Sequence, residues 1–179
     1  SGITAEKDSG ERYLSGDPAQ PEFFSGHLAW NGTGMIRKII IGDYRAKFGL
    51  GTAINTGLRT GMSLTSPGCL SGGTDEIRPY TSTDENNFFR GTAMMLRYKK
   101  LALTIFYSVN RIDATVKSYE GDHPDYIESF YTSGIHNSYT SLSKKDVVSE
   151  MNYGATLGLN LNNLLLGLLW TTTEFSLPV

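Results

Sequence analysis

The residues best suited to ion pairing or ligand binding are seven charged side chains between positions 43 and 90. They are Asp43, Arg45, Lys47, Arg78, Asp84, Glu85 and Arg90. Carboxylates and guanidinium groups form charge-assisted hydrogen bonds with one another, and in a membrane barrel they line the water-filled interior. None of the seven belongs to a motif with known catalytic mechanics. The set therefore indicates ion pairing or a polar lining, with solvated surface charges as the alternative.

Motifs that would carry catalysis or metal binding are absent. The sequence has no Gly-x-Ser-x-Gly elbow, phosphate-binding loop, His-Glu-x-x-His or Cys-x-x-Cys pattern. Cys69 is the only cysteine, which excludes an intrachain disulfide and a Cys-based zinc site. His27, His123 and His136 are far apart in sequence, and solvation or ordinary hydrogen bonding explains them more simply than a shared metal. We expect no enzyme activity, no metal and no cofactor.

The elements that position the charges follow from alternation along residues 42–48. In an extended strand the small and apolar residues share one face: Gly42, Tyr44, Ala46 and Phe48. The opposite face carries the charges at positions 43, 45 and 47. Three alternating charges cannot face a dry core. They need water or mutual pairing, which a soluble sandwich supplies on its outside and a membrane barrel supplies in its lumen.

Three hairpins are predicted from period-two alternation on both sides of a short turn. The first joins residues 22–31 to 35–48 around Asn-Gly, the second joins 88–98 to 101–110, and the third joins 151–161 to 164–172 around Asn162-Asn163. In the third hairpin one face suits lipid and carries Met151, Tyr153, Ala155, Leu157, Leu159 and Leu161. We expect Thr156, Gly158 and Asn160 to face the lumen.

The composition favours strands over helices, because the 179 residues include 20 Gly, 10 Tyr and 8 Phe. The most apolar run, 157–170, is interrupted by Gly and Asn and is shorter than the ~20 residues a spanning helix needs. A net charge of -2 with dispersed basic residues predicts no nucleic-acid contact. Segments 9–21, 60–87 and 117–145 are expected to be long polar loops, which alternate with short turns in outer-membrane barrels.

The expected fold is therefore all-β: an antiparallel up-and-down transmembrane β-barrel segment of roughly eight strands, with an incomplete barrel as one form. Residues 1–179 are expected to form a single region. The first residues lack a signal-peptide pattern and the last residues lack a terminal aromatic, so we expect an internal fragment of a longer protein. A soluble β-sandwich is the alternative, because a sandwich core also accepts alternating apolar rows.

Several ordered segments resemble one protein family. They are residues 2–11 (GITAEKDSGE), 41–51 (IGDYRAKFGLG), 77–85 (IRPYTSTDE), 87–91 (NFFRG), 106–108 (FYS) and 131–136 (YTSGIH). The sequence is similar to the barrel-like C-terminal region of helix-hairpin-helix-containing outer-membrane proteins of Bacteroidetes-type bacteria. The resemblance implies a Gram-negative outer-membrane location, with a signal peptide, the helix-hairpin-helix part and further strands elsewhere in the parent protein.

The expected function is a membrane-embedded barrel segment that acts as a pore, a transporter part or an envelope scaffold. Its expected partners are outer-membrane lipid and the missing parts of the parent protein. In this hypothesis Asp43, Arg45, Lys47 and Arg90 line the lumen, and the loop from Arg78 through Asp84 and Glu85 folds inward as a plug. A soluble β-sandwich binding module and an outer-membrane barrel enzyme are the alternatives.

Overall fold

The structure, a computed structural model, describes residues 1–6, 23–49, 51, 53–56, 76–82, 87–117, 125–131, 143–161 and 164–179. Cys69, His123, His136, Asp84, Glu85 and the Asn162-Asn163 turn lie outside the described residues, as do most of the predicted long loops. The described part is all-β and forms ten strands. They are β1 (Gly2–Glu6), β2 (Phe23–Asn31), β3 (Ile36–Lys47), β4 (Glu76–Pro79), β5 (Phe89–Tyr98), β6 (Leu101–Ile112), β7 (Ala114–Lys117), β8 (Tyr126–Phe130), β9 (Val148–Leu161) and β10 (Leu164–Phe175).

Eight of the strands form one antiparallel sheet with the up-and-down topology that the sequence predicts. Its order is β1-β2-β3-β5-β6-β9-β10, and β4 pairs with β3 beside this path. The three predicted hairpins are confirmed as β2–β3, β5–β6 and β9–β10. Among the described residues no ladder joins β1 to β10, so the sheet is not closed and is consistent with an incomplete barrel.

The predicted loops are wrong in two places. The 60–87 segment contains β4, and the 117–145 segment contains β8, which pairs with β7 in a separate two-stranded sheet. Strands of four or five residues are too short to show a convincing period-two pattern, and β4 pairs with β3 about thirty residues earlier in the chain. A short strand with a distant partner leaves almost no local signal.

One face of the main sheet, which we call the outward face, is apolar and exposed. The pairing register places the members of this face side by side across the strands. We call them the apolar belt: Leu28, Trp30, Ile41, Tyr98, Leu101, Ile105, Tyr107, Val109, Leu157, Leu161, Leu164, Leu166, Leu168 and Trp170. No second sheet among the described residues covers the belt, because β7–β8 packs elsewhere.

The opposite face of the main sheet, which we call the inward face, is buried, and it carries small polar side chains as well as the large apolar Ile40, Phe89 and Phe106. Thr104 lies opposite Thr156, and Ser108 lies opposite Asn152, all on the face turned away from the belt. Thr173 Oγ1 donates to Asn152 Oδ1 at 2.5 Å, and the Arg90 backbone N–H donates to Ser108 Oγ at 3.0 Å. These bonds satisfy polar groups that burial would otherwise leave unpaired.

A small cluster at one end of the sheet holds the β7–β8 hairpin. Ala114, Ile127 and Val148 form its buried centre. The Ile127 N–H donates to the Pro178 carbonyl at 2.8 Å, which ties the hairpin to the residues that follow β10. On the exposed side of this hairpin, a hydrogen bond to Glu128 and the negative charge of Glu128 raise the pKa of Lys117.

No helix in the described part of the chain has the length and apolar character needed to cross a bilayer.

Candidate functional site

Strand β3 bends sharply and carries the following segment over the inward face. Lys38 Nζ donates to the Ile77 carbonyl at 3.0 Å, although Ile77 is the ladder partner of Ala46. Along a straight strand, positions 38 and 46 would be about 27 Å apart, far beyond the reach of a lysine side chain. The second half of β3 must therefore fold back over the first half.

The folded-back segment, which we call the flap, comprises residues 44–49, 53–56 and 76–80. Asn55 and β4 pair with opposite edges of β3, because Lys47 bridges both Asn55 and Glu76. The flap packs its apolar side onto the inward face in one buried core: Tyr44, Ala46, Phe48, Ile54 and Ile77 against Ile40, Phe89, Ala93 and Phe106. The sheet thus has its interior filled by its own chain.

Aromatic contacts fix the flap to the sheet. The Phe48 ring stacks on the Phe106 ring with centroids 4.9 Å apart, and the Tyr44 ring meets Phe89 edge-on at 5.7 Å. The Tyr44 hydroxyl donates to the Tyr107 carbonyl at 3.0 Å on β6, two strands away from β3. Because these rings are buried and their geometry is specific, they hold the flap in one position.

Two glycines stand side by side at the bend. Gly42 and Gly91 are ladder partners on β3 and β5. Gly42 has φ +100°, and a Cβ there would lie 2.1 Å from the Gly26 carbonyl oxygen; one at Gly91 would lie 2.3 Å from the Tyr107 oxygen. Only glycine allows both the positive φ and this close approach at position 42.

An ion pair closes the gap where β3 leaves β2. Arg90 Nε donates to Asp43 Oδ1 at 2.7 Å, and Arg90 Nη2 donates to Asp43 Oδ2 at 3.2 Å. Asp43 Oδ2 also accepts the Gly26 N–H at 3.0 Å, while Arg90 Nη2 donates to the Phe24 carbonyl at 2.8 Å. The β2–β3 ladder ends at His27 and Gly42, so the two side chains bond to β2 backbone groups beyond that ladder. We call this pair the latch.

A pair of aromatic rings next to the latch lies against the guanidinium groups of Arg45 and Arg90. The Tyr80 and Phe88 rings are buried with centroids 4.8 Å apart. The Arg45 guanidinium lies 4.9 Å from the Tyr80 centroid, and the Arg90 guanidinium lies 5.1 Å from the Phe88 centroid. Both distances are within the range of a cation–π interaction. The residues on either side of 83–86 are therefore anchored to the latch.

The side of the flap that faces away from the sheet is charged. Arg45 and Lys47 alternate with the packed Tyr44 and Ala46, and their ladder partners are Arg78 and Glu76 respectively. The exposed Arg78 forms an ion pair with Glu76, whereas the buried Nε of Arg45 has no hydrogen-bond acceptor among the described residues. Like charges directly opposite in a ladder repel, and these two guanidinium groups turn to different partners.

The structure describes five of the seven predicted site residues and places them in two groups on either side of the bend. Asp43 and Arg90 form the latch, and Arg45, Lys47 and Arg78 share the charged side of the flap. Arg78 lies in strand β4 rather than in the predicted loop, because β4 is held by the edge of β3. Asp84 and Glu85 lie outside the described residues.

Sequence reasoning missed the residues that allow β3 to bend and those that pack against or pair with the predicted arginines. Gly42 and Gly91 would have been the usable signal, since each glycine is adjacent in sequence to a member of the latch. Tyr80 falls in the segment 60–87 that was predicted as a loop, and Phe88 is the first residue of the predicted strand 88–98, and nothing local distinguishes either as a buried aromatic. Glu76, the partner of Arg78, was missed for the same reason.

The described residues offer little for catalysis or metal binding. They contain no group of three or more His, Cys, Asp or Glu side chains that could hold a metal ion. Ser25 and His27 lie two residues apart on β2, but no hydrogen bond joins them, and the buried Ser25 hydroxyl has no partner in the part of the chain that the structure describes. The site is an arrangement of packed aromatics and paired charges.

Comparison with known proteins adds no identification. No family model matches the sequence, and no curated protein or solved structure matches it either.

Proposed function

We propose that this chain forms part of the wall of an outer-membrane β-barrel, in which it acts as a pore, a transporter part or an envelope scaffold. The observation that carries the proposal is the exposure of large apolar residues along one whole face of the main sheet, while the opposite face is buried and holds Thr, Ser and Asn side chains beside its apolar core. A soluble sheet covers its apolar face with the core and turns polar side chains to water. Lipid is the solvent in which an apolar face stays exposed.

The height of the belt supports the proposal. On β9 the outward row runs from Tyr153 to Leu161, which is about 27 Å along the strand. With a strand tilt of about 40°, this row covers about 21 Å of membrane thickness, close to the apolar band of about 25 Å in outer-membrane barrels. Tyr98 and Tyr153 lie toward opposite ends of the belt, where amphipathic rings sit at the headgroup level.

The flap would fill and line the interior of the proposed barrel. Its packed side fills the inward face, and its charged side with Arg45, Lys47 and Arg78 faces away from that face. In a barrel this charged side lines the lumen, and the flap acts as a plug or constriction. The resemblance to helix-hairpin-helix-containing outer-membrane proteins of Bacteroidetes-type bacteria supports the same location, in the outer membrane of a Gram-negative cell.

The two rival functions have less support. A soluble β-sandwich binding module needs a second sheet over the belt, and the described residues supply none. An outer-membrane barrel enzyme needs a paired nucleophile and base, and His27, the one described histidine, is not hydrogen-bonded to Ser25 on the same strand. The barrel-wall function therefore fits the described residues best.

The test compares two arginine substitutions of equally exposed apolar residues. Leu157 is 45% exposed within the belt, and Val147 is 40% exposed just before β9 begins. If lipid covers the belt, Leu157→Arg lowers the free energy of unfolding by ~2–4 kcal/mol in phosphatidylcholine vesicles, whereas Val147→Arg changes it by less than ~1 kcal/mol. The measurement is a urea titration of protein refolded into the vesicles and recovered by flotation.

Equal effects of the two substitutions would defeat the lipid assignment, as would recovery of the wild-type protein in the aqueous fraction. Val147 is a better control than Thr156, because Thr156 is buried on the inward face and an arginine there would also clash. Ion conductance across planar bilayers then separates a pore from a scaffold, since only a pore raises conductance when the protein is added.

A further inference from the structure

We propose that the short-turn end of the main sheet is a cationic surface that binds the phosphate groups of anionic phospholipids in the surrounding leaflet. The surface, which we call the basic rim, comprises the β2–β3 and β5–β6 turns and the strand ends beside them. Its basic residues are Arg37, Arg97, Lys99 and Lys100. The inference rests on the proposed barrel-wall function, because the rim contacts lipid only if lipid covers the adjoining belt.

The short-turn end of the sheet carries charge of one sign. Residues 28–40, 94–104 and 157–168 contain five basic residues and no Asp or Glu, although the whole chain has 18 acidic and 16 basic residues. The fifth basic residue, Lys38, is not part of the rim, because its Nζ donates to the Ile77 carbonyl of the flap. Both signs occur beside the opposite ends of β6 and β9: Arg111, Asp113, Lys144, Lys145, Asp146 and Glu150. The net charge of the chain therefore conceals a cationic end.

The two basic turns are neighbours in the sheet. β3 pairs with β5, and the Arg97 N–H donates to the Met35 carbonyl at 2.7 Å, which joins the end of β5 to the β2–β3 turn. The Arg37 guanidinium lies at the same turn, because its Nη1 donates to the Thr33 carbonyl at 2.8 Å. Lys99-Lys100 forms the β5–β6 turn itself. All four basic side chains of the rim are exposed.

The rim cations are available to an external anion. In the described part of the chain, no salt bridge joins Arg37, Arg97 or Lys99 to an acidic side chain. Like charges on adjacent strands repel one another, and this repulsion falls when an anion lies between them. A phosphate group accepts hydrogen bonds from guanidinium and ammonium groups, so it is a suitable ligand for this surface.

The basic rim begins where the apolar belt ends. Tyr98 is an exposed belt residue, and the ammonium of the following Lys99 lies 5.4 Å from the centroid of its ring. The exposed Trp30 ring leans over the β2–β3 turn, where a Cβ added to Gly32 would collide with it. Such rings lie at the headgroup level of a membrane. The cations beside them are therefore placed at the depth of the lipid phosphates, with their stems along the apolar surface.

The lengths of the connections select phospholipid as the occupant. The three hairpin turns span residues 32–35, 99–100 and 162–163, whereas residues 48–88 and 113–147 connect strands at the opposite end. In outer-membrane barrels the short turns are periplasmic and the longer loops are extracellular. The leaflet on the periplasmic side consists of phospholipid. An anionic phospholipid binds the rim more strongly than phosphatidylcholine, because the choline cation cancels the phosphate charge of phosphatidylcholine.

The test measures whether anionic lipid collects around Trp30. The Trp170→Phe variant, in which Trp30 is the remaining tryptophan, is refolded into vesicles of phosphatidylcholine and phosphatidylglycerol. Two preparations have the same lipid ratio. In one the phosphatidylglycerol carries brominated acyl chains, and in the other an equal amount of the phosphatidylcholine carries them. Because the surface charge is identical, the ratio of the two quenching efficiencies reports the enrichment of phosphatidylglycerol near Trp30.

We expect brominated phosphatidylglycerol to quench Trp30 at least about twofold more than brominated phosphatidylcholine, since a basic cluster attracts anionic lipid. About 1 M NaCl should remove the difference, because the Debye length is then about 3 Å. Neutralising the rim should also remove it, in a variant with Arg37→Gln, Arg97→Gln, Lys99→Gln and Lys100→Gln.

Two controls separate the rim from the net charge of the protein. The first is a variant with the same change of net charge near the opposite end of the sheet, which should keep the preference of Trp30 for phosphatidylglycerol. It carries Arg111→Gln, Lys117→Gln, Lys144→Gln and Lys145→Gln. The second is Trp30→Phe, in which Trp170 reports on the β9–β10 hairpin. Residues 157–168 of that hairpin have no charge, so Trp170 should show no preference.

Four results would overturn the inference. They are equal quenching of Trp30 by the two brominated lipids, a preference that survives neutralisation of the rim, an equal loss of preference in the control variant, and loss of preference when inorganic phosphate is added at constant ionic strength. The last result would identify free phosphate as the ligand. Circular dichroism confirms that each variant is folded. Equal quenching by both lipids would retain the barrel-wall function, whereas quenching by neither would reject that function together with the inference.

Discussion

Removing the guanidinium of the latch tests the bend of β3 directly. Arg90→Met keeps most of the side-chain stem but removes three hydrogen bonds, two to the Asp43 carboxylate and one to the Phe24 carbonyl. The Asp43 side chain is only 3% exposed, whereas that of Arg90 is 46% exposed. A fully buried carboxylate that loses its partner costs about 3–5 kcal/mol, and an exposed pair contributes about 0–1 kcal/mol.

The half-exposed Arg90 places the latch between these limits, so we expect Arg90→Met to lower the free energy of unfolding by about 2–3 kcal/mol. The double variant with Asp43→Asn should be less destabilised than the sum of the single variants, by at least about 1 kcal/mol, because the uncompensated charge is then gone. The assay is urea unfolding in detergent micelles followed by tryptophan fluorescence.

Arg97→Met provides the control, because Arg97 is an exposed arginine near the other end of the same strand. It should change stability by no more than about 0.5 kcal/mol. Limited proteolysis adds a local readout: loss of the latch should expose the flap to cleavage before the sheet unfolds. Strictly additive single effects, or an effect equal to that of the control, would show that the pair does not hold the bend.

The remaining predictions concern the flap. Gly42→Ala should cost at least about 2 kcal/mol because of its positive φ and close carbonyl, whereas Gly34→Ala, with open space around it, should be nearly neutral in the same unfolding assay. Phe106→Ala should cost about 3–5 kcal/mol and release the flap to protease, and an unchanged cleavage rate would refute the packing. A double-mutant cycle of Arg45→Ala and Glu85→Ala, scored by proteolysis and conductance, should be non-additive if Glu85 supplies the missing acceptor; additive effects would remove Glu85 from the plug.

The main sheet could be predicted because the sequence features that determine it, alternation and short turns, lie close together in the chain. The alternation in residues 151–161 and 101–110, with a short turn beside each, specified both the strands and the hairpins, and the observed registers agree. The face assignment of Leu157 and Thr156 was equally accessible, since the period of a strand is two. The structure confirms that these two residues lie on opposite faces.

The flap could not be predicted because the contacts that determine it join residues far apart in the sequence. The charges at 43, 45 and 47 were expected on one continuous strand face, yet the bend after Gly42 separates the latch from the other two. The contacts that force the bend, such as Lys38 to Ile77 and Phe48 to Phe106, join residues 39 and 58 positions apart. Pairing across such distances depends on the complete fold and leaves no periodic trace in the sequence.

The most direct test of the lipid-facing belt uses the two tryptophans of the chain, Trp30 and Trp170. They are 53% and 58% exposed, and one ladder row connects them across the sheet through Ile39, Met94, Ile105 and Ala155. Single-tryptophan variants, Trp30→Phe and Trp170→Phe, are reconstituted in phosphatidylcholine vesicles with brominated acyl chains. The barrel-wall account predicts that brominated lipid quenches the remaining tryptophan in both variants, while aqueous iodide does not. Quenching by iodide without quenching by brominated chains would place the belt in water and contradict the account.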